Sequence, residues 1–230
     1  RGAGKAPEYL QALPAGSGPE GLTAIPQRGL LIVASENDGA ARSSVMIYQR
    51  GADVPAYPTL MSSDSPAGPP IPWGAISGTT ADRKQVGRLF AVTDSVYATT
   101  RILEIDTNFT PALITNAMTV TKDGKPVGYD GEGIAQRADG GFWVASEGDP
   151  DKKPAPLRNM LFRLNAKAEV QEEIELPEAL ARHATRFGFE GVTITGTGDQ
   201  EVVWLAVQRE WKDDPKGFTK ILRYTPATKT

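Results

Sequence analysis

The chain alternates short apolar runs with polar segments that contain glycine and proline. Four of the runs share one pattern, in which consecutive apolar residues end in polar side chains, at residues 31–36, 89–94, 142–147 and 203–208. Runs of this length, bounded by turn-forming residues, are typical of β-strands. Because both alternating sets of positions are apolar, we expect each of these strands to be covered on both faces.

Related segments surround each run and form a repeat. A short motif, Glu-Gly in three of its copies, precedes the runs at residues 19–23, 72–76, 131–135 and 189–193. A third strand-like segment follows at residues 45–48, 102–105, 160–164 and 221–224, and a weaker fourth at 57–61, 112–120 and 170–176. Four strands per unit of roughly 40–60 residues predict an all-β fold, a β-propeller of four-stranded antiparallel blades. One short helical turn is expected, at residues 177–184.

The extent of the propeller has two interpretations. A strand-like segment at residues 9–13 could complete the last blade, which stops after its third strand at Tyr224, and so close a ring of four blades. Alternatively, residues 1–230 are part of a larger propeller, which we favour because four-bladed rings are the small extreme. Arg1 in place of methionine suggests that a leader or an upstream region has been removed. In either case we expect a single domain over residues 1–230.

Composition excludes several classes of site. The chain has no cysteine and a single histidine, His183, so thiolate metal sites are excluded and a zinc site is disfavoured. A Ser-His-Asp triad would have to use His183, and no Gly-x-Ser-x-Gly motif is present. The formal net charge is -3 without a long block of either sign, which argues against nucleic-acid binding. No apolar run approaches the length of a membrane span.

Acidic residues recur where the first strand of a unit begins and the second ends. If Asp139 and Gly140 form a two-residue hairpin turn, Glu132 lies directly opposite Glu147. The same counting predicts three further opposed pairs: Glu20 with Glu36, Trp73 with Asp94, and Glu190 with Gln208. Like charges placed so closely are destabilising, so the carboxylates must share a proton, take an arginine partner or hold a hard cation.

Carboxylates that converge from several blades on one axis favour the cation, and Ca²⁺ accepts six to eight oxygen ligands. The predicted metal ligands are Glu20, Glu36, Asp94, Glu132, Glu147 and Glu190. The alternative is that these glutamates only accept hydrogen bonds from backbone amides at the crowded axis. Basic residues precede the third strands, and we expect Arg42, Arg101 and Arg158 to bind an anionic substrate. Trp211 is predicted to be a further surface contact for the substrate.

The third and fourth copies of the repeat resemble a known family. The residues that carry the resemblance are Glu132-Gly133-Ile134-Ala135, Gly141-Phe142-Trp143-Val144-Ala145-Ser146-Glu147 and Gly188-Phe189-Glu190-Gly191-Val192. They are similar to the phytase-like propeller domain named for esterase-like activity, over residues 71–224. Residues 19–36 also look like blades of related bacterial surface propellers. The resemblance implies a secreted or periplasmic bacterial protein, a Ca²⁺-dependent hydrolase of phosphate or carboxylic esters.

Two classes of function follow. In the first, the chain is a monomeric hydrolase of a small anionic ester, with Glu132, Glu190 and Arg209 as catalytic residues around the metal. A lactonase-like propeller enzyme, which also holds a metal by axial carboxylates, is a related alternative. In the second class, a non-catalytic propeller binds a structural ion, and its rim recognises a protein or a glycan.

Overall fold

The computed structural model describes residues 13–16, 18–35, 44–52, 60–154 and 156–230. The chain divides into two compact units, residues 1–59 and 60–230. The first unit contains one antiparallel sheet, sheet 1, in the order β1-β2-β3. Its strands are β1 (Pro19–Ile25), β2 (Leu30–Ser35) and β3 (Ser44–Gln49), and a 3₁₀ turn covers Pro26–Arg28.

The second unit contains three larger sheets and one small hairpin. Sheet 2, in the order β4-β8-β7-β6-β5, is built from β4 (Leu60–Ser62), β5 (Ile76–Ala81), β6 (Arg88–Thr93), β7 (Arg101–Asp106) and β8 (Ala112–Thr119). The hairpin pairs β9 (Thr121–Lys122) with β10 (Lys125–Pro126). Sheet 3 is built from β11 (Gly131–Gln136), β12 (Phe142–Ser146), β13 (Met160–Leu164) and β14 (Val170–Glu175). Sheet 4 is built from β15 (Phe189–Thr195), β16 (Val202–Val207) and β17 (Ile221–Tyr224).

Helix is almost absent from the described residues. The α-helix α1 covers Glu178–Ala181, inside the predicted helical segment, and a second 3₁₀ turn covers Gly198–Gln200. No helix in the described part of the chain is both long enough and apolar enough to cross a membrane. The predicted all-β class is therefore confirmed. The closed ring of a propeller and the single domain over residues 1–230 stay predictions.

The sheets of the second unit pack face to face. In β12, Phe142 and Val144 belong to a buried cluster shared with sheet 2, while Trp143 and Ala145 belong to one shared with sheet 4. All five residues of β12 are buried. This confirms for β12 the prediction that the second strand of a unit is covered on both faces, and burial of that apolar surface is the main force that joins the sheets.

The first strands of the three sheets lie side by side, with β5 and β15 on either side of β11. Their backbones touch at glycine. A Cβ atom on Gly78 would lie 2.8 Å from the carbonyl oxygen of Glu132, and one on Gly133 would lie 2.8 Å from the amide nitrogen of Val192. Only glycine permits so close an approach, which explains why the motif carries one.

Each first strand also contains a β-bulge directly before this glycine. The pairing with the second strand shifts by one residue there, so that one side chain has no partner of its own. The extra residues are Glu20 in β1, Ser77 in β5, Glu132 in β11 and Glu190 in β15. The acidic repeat of the sequence is thus a repeat of bulge positions.

The bulges correct the predicted pairs. Gly131 pairs with Ser146 and Gly133 with Ala145, so Glu132 does not lie opposite Glu147. The Glu190–Gln208 and Trp73–Asp94 pairs are also wrong, since Phe189 pairs with Val207 and Ile76 with Thr93. Glu36 lies outside the described residues, and Glu20 is a bulge residue. The turn after β11 also has three residues where two were predicted. These three residues, ending in Gly140 at φ +92°, connect Arg137 and Gly141, which are hydrogen-bonded to each other.

Candidate functional site

Three carboxylates from two neighbouring sheets converge at one end of the second unit. Asp94 directly follows β6, Asp130 directly precedes β11, and Glu132 is the bulge residue of β11. One oxygen of each lies within 4.8 Å of the others. We call Asp94, Asp130 and Glu132 the acidic triad.

The backbone holds the triad in place. The amide of Asp94 donates to the carbonyl of Ala75 at 2.9 Å, and the amide of Glu147 donates to the carbonyl of Asp130 at 2.9 Å. The bulge turns Glu132 out of the ladder, where the hydroxyl of Ser77, the bulge residue of the neighbouring sheet, donates to its Oε2. The extra residues of two adjacent sheets are therefore in direct contact.

Two further glutamates stand beside the triad. Glu147 follows β12, and its Oε1 accepts a hydrogen bond of 2.8 Å from the amide of Gly188. Glu190 is the exposed bulge residue of β15. Burial raises the pKa of Glu147, and the charges of Asp130 and Glu190 add to the rise. Five carboxylates from three sheets thus share one region, which we call the acidic region: Asp94, Asp130, Glu132, Glu147 and Glu190.

The protonation of the triad reflects this crowding. Burial raises the pKa of Glu132 to about 7, and the charges of Asp94, Glu190 and Asp130 add to that rise, against the Ser77 hydrogen bond. Burial also raises the pKa of Asp130, with a further rise from the adjacent Asp94. Burial alone would raise the pKa of Asp94, but hydrogen bonds from Asp130 and Ser95 outweigh it and lower that pKa. These opposite shifts are those expected of two neighbouring carboxyl groups that compete for one shared proton.

The donor set fits a hard cation. All three triad groups offer carboxylate oxygens, and a hydroxyl oxygen of Ser77 lies next to them. Ca²⁺ and Mg²⁺ prefer such ligands, whereas zinc sites use histidine or cysteine. Because the carboxylates repel one another, a cation would replace the shared proton and relieve that repulsion.

A cleft of about 480 Å³ opens beside the acidic region. Asp130, Glu147, Lys152, Arg158 and Tyr97 are among the residues that line it. Arg158 forms an ion pair with Glu175 while its side chain stays 71% exposed. A ligand in this cleft would thus meet both acidic and basic side chains.

The other predicted basic residues have different surroundings. Arg101 donates to the carbonyl of Pro72 at 3.1 Å and lies over the ring of Tyr97, 4.8 Å from its centroid. It is therefore adjacent to a wall of the cleft. Arg209 lies over the ring of Phe187, 4.1 Å from its centroid. Arg42 lies outside the described residues.

Trp211 corrects a prediction. Its side chain is 2% exposed and packs in the cluster of Trp143 and Phe189, so it is not a surface contact for a substrate. Its Nε1 donates to the carbonyl of Phe187 at 3.1 Å. Arg209 and Glu210, its polar neighbours in the sequence, suggested a loop at the surface. The side chain of Trp211 nevertheless points into the core.

Four predicted metal ligands, Asp94, Glu132, Glu147 and Glu190, thus lie in one acidic region. Glu20 belongs to the first unit, and Glu36 lies outside the described residues. Neither Asp130, a member of this region, nor Ser77, which donates a hydrogen bond to Glu132, was predicted from the sequence. Asp130 stands two positions before Glu132, on the same side of an extended strand, which is a signal that the sequence offered. Ser77 precedes Gly78 just as Glu132 precedes Gly133.

Comparison with known proteins agrees with this geometry. The family model described as phytase-like, esterase-like activity of phytase, matches residues 71–230, which contain the whole acidic region and the cleft. A search of curated proteins gave no match. The chain therefore belongs to the phytase-like family, described by the esterase-like activity of phytase.

Proposed function

We propose that the protein is a calcium-dependent hydrolase of phosphate or carboxylic esters that works outside the cytoplasm as a monomer. The observation that carries this proposal is the acidic triad, whose Asp130 also lines a cleft that contains Lys152 and Arg158. Family membership supports the reaction class. We favour Ca²⁺ because the donors are all oxygens and the partly exposed site suits a large ion of flexible coordination.

The chain's own residues divide the work. Asp94, Asp130 and Glu132, together with Glu147 beside them, would hold the cation, which when bound polarises an ester oxygen and lowers the pKa of a water molecule. Glu190, exposed beside the triad, would accept a proton from an attacking water. Lys152 and Arg158 would bind the anionic group of the substrate in the cleft. Arg101 and Arg209 are proposed to add positive charge around it.

We infer the location of the protein from the expected affinity of the acidic triad for Ca²⁺. Carboxylates that are half-buried, and partly protonated without a cation, form a weak site, and extracellular Ca²⁺ modules have dissociation constants of about 10⁻⁴–10⁻³ M. Such a site fills at the calcium concentration outside cells. We therefore propose a secreted or periplasmic protein, whose partner is a small anionic ester and not a nucleic acid.

Chelation tests the proposed function directly. We expect the purified protein to hydrolyse an aryl phosphate or an aryl carboxylic ester, to lose this activity with a chelator, and to regain it when Ca²⁺ is added. Initial rates and melting temperatures are measured on the same samples. Hydrolysis that stays at the background rate with and without Ca²⁺, together with a melting temperature that rises with Ca²⁺, would identify a structural ion and a non-catalytic protein.

The basic residues that line the cleft give a second test. We expect Lys152→Ala to raise KM for an aryl phosphate about tenfold with little change in kcat, because one charge-assisted hydrogen bond is lost. A neutral aryl ester serves as the internal comparison, since its KM should change little. Lys167→Ala, in the turn at the opposite end of sheet 3, is the matched control. An equal effect of both variants would contradict the assignment of Lys152.

A further inference from the structure

A buried asparagine links the loop that carries Glu147 to the beginning of β15, the strand that carries Glu190. Asn159 is 4% exposed and directly precedes β13. Its Oδ1 accepts two backbone hydrogen bonds, one of 3.1 Å from the amide of Gly148 and one of 3.0 Å from the amide of Phe189. The first donor belongs to the loop after β12, and the second opens β15, so one side chain connects sheets 3 and 4.

Both donors are next to a carboxylate of the acidic region. Gly148 follows Glu147 in the chain, and Phe189 precedes Glu190. A third bond closes the arrangement, because the amide of Gly188 donates to Oε1 of Glu147 at 2.8 Å. The backbones on which Glu147 and Glu190 depend are therefore held at one distance by Asn159.

The packing around Asn159 leaves no room for adjustment. A Cβ atom on Gly188 would lie 1.6 Å from Oδ1 of Asn159, and one on Gly148 would lie 2.4 Å from the amide nitrogen of Asn159. Two glycines thus allow the asparagine to reach both segments. A side chain that only filled space would not need acceptor geometry toward two amides.

We propose that Asn159 is a positioning residue that sets the spacing of Glu147 and Glu190 around the bound cation. The inference rests on the proposed function, which supplies the cation. Residues that orient metal ligands without touching the metal typically change metal affinity by about 10–100-fold when they are replaced. Asn159 acts in this way through the backbone of both segments.

The experiment compares three variants by calorimetric titration with Ca²⁺. Asn159→Leu keeps a side chain branched at Cγ but replaces the acceptor oxygen by a larger methyl group, and we expect its affinity for Ca²⁺ to fall about 10–100-fold. Asn159→Asp keeps an oxygen in the same place and should restore most of the affinity. The matched control is Gln136→Leu, because Gln136 is 8% exposed and its Oε1 accepts the amide of Arg83 at 2.6 Å, at the far end of β11. This control should lose stability but keep its affinity for Ca²⁺.

Amide hydrogen exchange distinguishes a failure of the inference about Asn159 from a failure of the proposed function. We expect Asn159→Leu to speed exchange at Gly148 and Phe189 while the amides of β12 stay protected. Unchanged exchange at both amides would overturn the inference whether or not a cation binds. Faster exchange with unchanged Ca²⁺ affinity would also overturn it, since Asn159 would then be only structural. A wild-type protein that binds no Ca²⁺ would instead overturn the proposed function, and with it the role of Asn159 at a cation.

Discussion

Replacing Gly133 by alanine is expected to destabilise the second unit strongly, although the change adds only one methyl group. The new Cβ would lie 2.8 Å from the amide nitrogen of Val192 and 3.0 Å from Cα of Gly191, both backbone atoms of the adjacent strand. A backbone cannot rotate away as a side chain does, so β11 and β15 must separate. Overpacking costs about 1–3 kcal/mol, which corresponds to a fall in melting temperature of roughly 2–12 °C for a unit of this size.

Gly191→Ala is the matched control for this prediction. Gly191 occupies the same place after the bulge in β15, but a Cβ there would lie 3.7 Å from Cβ of Ala206, an ordinary contact. Its melting temperature, followed by calorimetry beside that of Gly133→Ala, should stay close to the wild-type value. Equal losses in the two variants would contradict the close approach of β11 and β15 as the cause, because backbone entropy alone favours alanine over glycine in the folded state.

The strands and their faces were predictable because they depend on local pattern. In β12, alternate apolar residues face different neighbours, and no polar position marks a solvent face. The register was not predictable to one residue. A single extra residue at Glu132 shifts the pairing, and hairpins of two and three residues fit the segment from Arg137 to Gly141 almost equally well.

The acidic region was predicted for a partly wrong reason. Glu132 and Glu147 were expected to meet across one hairpin, but the triad joins Asp94 of one sheet to Asp130 and Glu132 of the next. The repeat predicted that carboxylates from several units converge, but the spacing of residues along the chain does not show which of them come within contact distance. For the same reason Asn159 gave no signal, because its two hydrogen bonds reach separate segments.

Glu132→Gln is expected to abolish Ca²⁺ binding and Ca²⁺-dependent hydrolysis. The substitution removes one carboxylate of the triad and keeps the volume, so the loss should exceed the roughly 10–100-fold that follows from replacing an outer-shell partner. In the wild-type protein, affinity should rise as the pH passes about 7, where Glu132 loses its proton. Calorimetric titration one pH unit below and one above that value measures both effects. Glu169→Gln, in the turn before β14, is the control and should bind Ca²⁺ as the wild type does.

Glu132→Gln should also change the stability of the fold, and the sign of that change should depend on whether a cation is bound. Burial and the neighbouring carboxylates raise the pKa of Glu132 from 4.5 to about 7, so the folded state holds this proton more tightly than the unfolded state does. The stability of the wild-type protein should therefore decrease as the pH rises through that interval, and Glu132→Gln should remove the part of the decrease that Glu132 causes. Above the interval we expect the variant to melt at a higher temperature than the wild type in chelator, and at a lower one in Ca²⁺. A variant that is less stable in both conditions would show that Glu132 stabilises the fold directly, because relief of carboxylate repulsion predicts the reversal.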